Sequence, residues 1–164
     1  MKKFWIIPAL FLLLAGCGAQ ETFETISDVY KPEQPSAQQV VLTLPEEAAL
    51  ATVITGETGK LYLCDGYVLT VQTFAGGDLN GTLLQLTGFS RDALQPVETV
   101  QNGTKRYDCV WTSAGEGEDQ VGRVTILDDG NYHYAVTVMA GASKMRELND
   151  IWQDILSSVS LCTD

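Results

Sequence analysis

The 164-residue sequence has few basic residues, a single histidine and no long hydrophobic run. Ten lysines and arginines oppose 21 aspartates and glutamates, so the net charge is −11. Binding of nucleic-acid phosphates needs a basic surface, and this balance argues against such a partner. The longest apolar run, residues 4–14, is shorter than the ~20 residues of a membrane-spanning helix. With 45% hydrophobic residues, the chain is neither disordered nor a multi-span membrane protein.

Motifs for catalysis and metal binding are also scarce. No Gly-x-Ser-x-Gly elbow occurs. The absence of Cys-x-x-Cys and the single histidine argue against a zinc site. His133 alternates with Tyr132 and Tyr134 in a β-rich run, which predicts a solvent-facing strand position, with a general base as the alternative. We therefore predict no catalytic residues, no metal ligands and no cofactor, and interpret the chain as non-enzymatic.

The N-terminus carries a recognisable export signal. Two lysines precede the apolar run, and the run ends in Leu14-Ala15-Gly16-Cys17. This pattern resembles the signal of bacterial lipoproteins, in which a leucine and two small residues precede a cysteine. The resemblance implies that residues 1–16 are removed and that the thiol of Cys17 receives lipid, which anchors the chain on the extracytoplasmic face of the cell membrane. The alternative is an ordinary secretory signal with an incidental cysteine.

The segment after the signal has the composition of a tether. Residues 17–37 contain two prolines among Glu, Gln and Ser, which favours an extended and solvated chain. The alternative is a short strand or a docking segment, which the apolar residues Phe23, Ile26 and Tyr30 would favour. Loss of the two N-terminal lysines leaves 21 acidic against 8 basic residues, a net charge of −13 over 148 residues. Such a domain should stand away from anionic headgroups.

Residues 38–164 are predicted to form a single α+β domain built from hairpins. Asp-Gly or Asn-Gly pairs, typical of two-residue hairpin turns, separate β-rich runs at residues 65–66, 102–103 and 129–130. The predicted strands are 40–44, 50–55, 60–64, 67–74, 97–101, 104–112, 121–127 and 131–139. Leucine spacing predicts a short helix over 79–87, and Ser90 caps one further turn. The longest helical pattern, Met145, Leu148, Trp152, Ile155 and Val159, predicts a C-terminal helix packed across an antiparallel sheet.

The C-terminal part of the domain resembles a known fold. The stretch from Asp129 to Leu161, about a fifth of the chain, has an Asp-Gly hairpin, a β-rich strand and a helix ending in Ile-x-x-Ser-hydrophobic. This order resembles the end of PsbP-like domains, and Thr87-Gly88-Phe89 fits the same arrangement. The resemblance implies a PsbP-like sandwich and a binding or accessory role. It supplies no catalytic residues.

Three cysteines remain if Cys17 carries lipid. In an exported protein two of them can form a disulfide. We favour Cys64 with Cys162, because a hairpin end and a helix end can meet at one edge of the sheet. Cys109 shares a strand face with Tyr107 and Trp111 and is predicted to be buried. The alternative is that all three are free.

Calcium binding is an alternative interpretation of two acidic loops. They are Asp128-Asp129-Gly130-Asn131 and Glu116-Gly117-Glu118-Asp119. The first lacks the alternating ligands and the distant glutamate of an EF-hand loop, and a hairpin turn already explains it.

The sequence thus predicts a binding or accessory domain for an envelope protein or a small ligand, held at the membrane by the lipid on Cys17. An envelope enzyme that uses acidic residues is one alternative. A structural envelope protein that acts through self-association is another.

Overall fold

The computed structural model describes residues 35–51 and 59–162. The predicted export signal, Cys17 and most of the predicted tether lie outside these ranges, as does part of the strand predicted at 50–55. Among the helices of the described ranges, none has the length and apolarity to cross a membrane.

Strands predominate among the described residues, and most of their bounds lie within two residues of the prediction. The strands are β1 (Val40–Val41), β2 (Ala49–Ala51), β3 (Gly59–Cys64), β4 (Tyr67–Ala75), β5 (Val97–Gln101), β6 (Thr104–Ser113), β7 (Gln120–Asp128), β8 (Tyr132–Gly141) and β9 (Ser160–Leu161). The helices are α1 (Leu79–Thr87), α2 (Arg91–Leu94) and α3 (Met145–Ser157), and a 3-10 turn at Ala142–Lys144 precedes α3. The first strand is shorter than predicted.

Seven strands form one sheet in the order β2-β3-β4-β8-β7-β6-β5. Every neighbouring pair is antiparallel. At the β5–β6 turn both Asn102 and Gly103 have positive φ, 52° and 82°, as a type I′ turn requires. The antiparallel α+β class predicted from the hairpin turns is therefore confirmed.

Helix α3 covers one face of this sheet. Its buried residues Leu148, Trp152 and Ile155 recur every three or four positions and pack on side chains of β4, β7 and β8. Trp152 is fully buried and meets the Tyr67 ring edge-on, with 6.1 Å between ring centroids. The predicted packing of the C-terminal helix across the sheet is confirmed.

Helices α1 and α2 lie on the opposite face. Asp78 caps α1 by accepting from the Asn80 N–H at 3.0 Å, and Gly88 ends the helix with φ of 79°. Leu79 and Leu83 then pack on β6 and β7 in a second buried cluster. The fold is thus a three-layer sandwich with the sheet in the middle.

This third layer overturns the solvent-facing position predicted for His133. Only 1% of the His133 surface is exposed. Its Nδ1 lies 2.7 Å from the Thr82 hydroxyl of α1, and its Nε2 lies 3.8 Å from an Asp128 carboxylate oxygen. The ring does point away from Tyr134, as alternation requires, but the face that it occupies is covered by a helix.

A two-stranded sheet closes the domain. Val40 and Val41 of β1 pair with Leu161 and Ser160 of β9. The Cys162 N–H donates to the Gln39 carbonyl at 2.9 Å. The sequence predicts β1 but not its partner, because two residues after a helix are too few to show a strand pattern.

Candidate functional site

A groove opens where α3 stops covering the sheet. The helix lies over β7 and β8, while the neighbouring strands β6 and β5 extend beyond it. The space left between α3 and these strands has a volume of about 460 Å³. We call it the α3–β6 groove, and its size is within the range typical of ligand sites.

Strand alternation and register determine which side chains line the groove. Arg106, Asp108 and Val110 follow one another on the face of β6 opposite Tyr107, Cys109 and Trp111. Pairing places Val97 of β5 beside Asp108, and Arg123 of β7 beside Val110. Gln153, Leu156 and Ser157 of α3 complete the wall. The face of β6 that carries Tyr107, Cys109 and Trp111 is buried, whereas Arg106, Asp108 and Val110 lie on a more exposed face.

Arg106 and Asp108, which both line the groove, form an ion pair. Two nitrogens of the Arg106 guanidinium donate to the two Asp108 oxygens at 2.7 and 3.0 Å. Arg106 also donates to the buried Thr125 hydroxyl at 3.1 Å and to the Leu156 carbonyl in the last turn of α3 at 3.0 Å. A cation at a helix C-terminus is favourable. This network therefore ties β6 and β7 to the end of α3.

Arg123 is the second cation of the groove, and its charge is not balanced. Its Nη1 donates to the Asn149 side-chain oxygen at 3.3 Å. It forms no ion pair with any carboxylate that the structure describes. Since Asp108 already offsets Arg106, the groove carries one excess positive charge on a chain of net charge −11. A guanidinium in this position suits a carboxylate or another planar anion.

Apolar side chains flank the two arginines. Val97 is 65% and Val110 is 49% exposed, and Leu156 contributes to the wall. The combination can hold an anionic group through Arg123 and an adjoining apolar group through the valines. Asp108, the one carboxylate among the lining residues, is engaged by Arg106 and Thr125. The carboxylate of the groove is therefore already occupied by hydrogen bonds within the fold.

A smaller cavity lies between α3 and the segment after β1. Its volume is about 340 Å³, and its lining is Thr43, Leu44, Pro45, Ile151, Asp154 and Ile155. Its charged side chain is Asp154, so it lacks the excess positive charge that distinguishes the α3–β6 groove.

Sequence reasoning singled out none of the groove residues as a site. One signal was present: Arg123 shares an alternating face with Val121, Thr125 and Leu127, so a cation falls on a face that is otherwise uncharged. Alternation cannot show that the covering helix ends just beyond that position.

Cys64, Cys109 and Cys162 are free thiols in the described part of the chain. Cys64 packs against the core beneath α3, where burial raises the pKa of its thiol. Cys162 follows β9 and is exposed. The Cys64–Cys162 disulfide favoured from the sequence stays a prediction. Cys109 is buried as predicted, and burial raises the pKa of its thiol to about 11.

The acidic loops use their carboxylates within the fold. One Asp129 oxygen accepts from the N–H groups of Asn131 and Tyr132, and the other accepts from Tyr134 and Gln38. Burial acts to raise the pKa of Asp129, but these donors outweigh it and hold the pKa below its ordinary value. In the other loop, Glu118 accepts from the Ser143 N–H at 3.2 Å. The described residues contain no cluster of three or more metal ligands.

Comparison with known proteins rests on solved structures, because no known family and no curated protein matches the sequence. LpqN of Mycobacterium tuberculosis, involved in cell envelope biogenesis, has a TM-score of 0.51 and 12% identity over 79% of this chain and 86% of its own. Cyanobacterial PsbP (CyanoP) from Synechocystis has a TM-score of 0.52 and 10% identity over 77% of this chain and 95% of its own.

A third similar structure comes from Bacteroides thetaiotaomicron, with a TM-score of 0.51 and 10% identity over 76% of this chain. This chain covers 46% of that protein, which is less than half of its length. The class defined by these likenesses is a mixed α+β sandwich around an antiparallel sheet. Within that class the fold is PsbP-like, in agreement with the resemblance of residues 129–161.

Proposed function

We propose that this protein is a lipid-anchored, extracytoplasmic binding or accessory domain without catalytic activity, and that its α3–β6 groove holds an envelope protein or a small ligand. The observation that carries the proposal is Arg123, a cation without a carboxylate partner among the described residues, beside the exposed Val97 and Val110. An anionic partner with an apolar neighbouring group complements this arrangement.

Two further observations support an envelope setting. Leu14-Ala15-Gly16-Cys17 resembles a lipoprotein signal, and LpqN, a protein of the same fold, is involved in cell envelope biogenesis. With a net charge of −13 after removal of residues 1–16, the domain is repelled by anionic headgroups. Its contact with the membrane is then made through the lipid on Cys17.

Reversing the charge of Arg123 tests the groove. In envelope extracts, we expect the full chain to capture a partner or ligand that an Arg123→Glu variant fails to capture, because the variant replaces the attracting cation with a carboxylate. Arg146→Glu is the matched control, since Arg146 is exposed on α3 and does not line the groove. Bound proteins and small molecules are identified by mass spectrometry, and thermal unfolding confirms that both variants are folded.

The groove proposal fails if Arg123→Glu captures the same molecules as the unmodified chain. It also fails if Arg146→Glu loses them to the same extent, because the effect would then report the overall charge of the domain.

Lipid attachment is tested separately with Cys17→Ala. Cells that express the full chain should incorporate radiolabelled palmitate into the protein, and the variant should incorporate none, because the acceptor thiol is absent. Label in the variant equal to that in the unmodified chain would contradict anchoring at this residue.

A further inference from the structure

Strand β5 is an uncovered edge of the seven-stranded sheet. It pairs with β6 on one side and is the last strand in the sheet order. All five of its residues are exposed, and Val97 and Val100 expose 65% and 64% of their surfaces. Its pairing with β6 runs without a bulge from Val97 to Gln101. The outer backbone groups are therefore presented in regular strand geometry.

The usual protections against edge pairing are missing from this strand. Proteins commonly block such edges with lysine, proline or a bulge. The sequence of β5 is Val-Glu-Thr-Val-Gln, without lysine or proline. Its one charge is Glu98, whose Oε2 lies 3.5 Å from the Arg91 guanidinium of α2, while its Oε1 has no partner among the described residues. This edge is thus suited to accept another strand.

We infer that β5 pairs with β5 of a second copy of this chain, antiparallel and about a two-fold axis through Thr99. In this register Thr99 lies opposite Thr99 of the second copy, a favourable cross-strand pair. Glu98 lies opposite Val100, and Val97 lies opposite Gln101. No two like charges face each other, and one continuous sheet runs through both copies, as an isologous interface requires.

Charge complementarity favours a second copy as the occupant. Lys105 of β6 is the register partner of Val100 and shares its face. In the dimer, Lys105, Val100 and Glu98 of the second copy lie side by side on three consecutive strands. The backbones of Lys105 and of this Glu98 are two strand spacings apart, about 9.6 Å. A lysine and a glutamate side chain together span this distance. Lys105 has no ion-pair partner in the part of its own chain that is described.

The oligomeric state of the full chain tests this interface. The chain is purified in detergent with micelles in large excess, and its mass is followed by sedimentation over a range of concentrations. We expect a concentration-dependent dimer. Thr99→Lys places two ammonium groups opposite each other and should raise the dissociation constant at least about tenfold. Thr112→Lys adds the same charge at an exposed position of β6 that pairs with Val121 of β7 and lies beyond the residues paired with β5, and it should leave the dimer intact.

Disulfide trapping gives a second readout, which does not depend on disrupting the interface. Opposed residues of an antiparallel pair have Cα atoms about 4.5–5.5 Å apart, within reach of a disulfide. In a Cys162→Ser background, Thr99→Cys should cross-link two copies on mild oxidation and Thr112→Cys should not. A monomer at every concentration overturns the inference. So does cross-linking of Thr99→Cys no greater than that of Thr112→Cys. Neither readout depends on a partner in the α3–β6 groove.

Discussion

Replacing Trp152 by alanine should lower the free energy of unfolding by about 3–5 kcal/mol, the range for large aromatic truncations in a core. The side chain is fully buried between α3 and the sheet, and its ring packs edge-on against Tyr67. Truncation removes this contact and leaves a cavity in the largest buried cluster. The measurement is urea unfolding of the full chain followed by circular dichroism.

Two companion variants separate volume from position. Trp152→Phe keeps most of the apolar volume and removes an indole N–H that has no hydrogen-bond partner among the described residues. It should therefore cost less than half of the alanine loss. Gln153→Ala changes the adjacent, exposed residue of α3 and should stay within about 0.5 kcal/mol. A Trp152→Ala loss no larger than that of Gln153→Ala would contradict the packing of α3 on this face.

Arg106→Ala should be the second largest effect, a loss of about 2 kcal/mol. The substitution removes two hydrogen bonds to Asp108 and leaves the Leu156 carbonyl without its donor. The loss is smaller than for a fully buried pair, because the side chains of Arg106 and Asp108 are 25% and 38% exposed and water replaces part of the interaction.

Arg91→Ala is the matched comparison for Arg106. Arg91 and Glu98 also form an ion pair, but at 3.5 Å and with side chains 50% and 40% exposed. Such surface pairs contribute about 0–1 kcal/mol, so the Arg91 variant should unfold close to the unmodified chain. Equal losses for the two variants would show that the Arg106 network does not hold α3 to the sheet. Urea unfolding at neutral pH distinguishes the outcomes.

Much of the fold could be predicted because its signals are local. The short helix over 79–87 begins and ends as predicted, since Asp78 caps it and Gly88 adopts the left-handed conformation that stops it. The hairpin turns depend on residues such as Asn102 and Gly103, whose positive φ values are intrinsic preferences of those residue types. In each case the chemistry acts over a few neighbouring residues.

The errors concern features that depend on distant parts of the chain. Alternation correctly separated His133 from its tyrosine neighbours, but only the placement of α1 decided that its face is buried. The partner of β1 comes from residues 160–161, more than a hundred positions away.

The sequence by itself determined the order of the helices and of the first eight strands, the antiparallel hairpins and the strongly acidic character of this protein. It also supplied the pattern from which lipid anchoring at Cys17 is proposed. Only the tertiary structure decided that α3 covers β7 and β8 but not β6 and β5. The uncovered strands leave Arg123, Val97 and Val110 accessible in one groove. The physical reason is range: caps, turns and alternation act between near neighbours, whereas the groove and the free edge of β5 exist only once distant elements have packed.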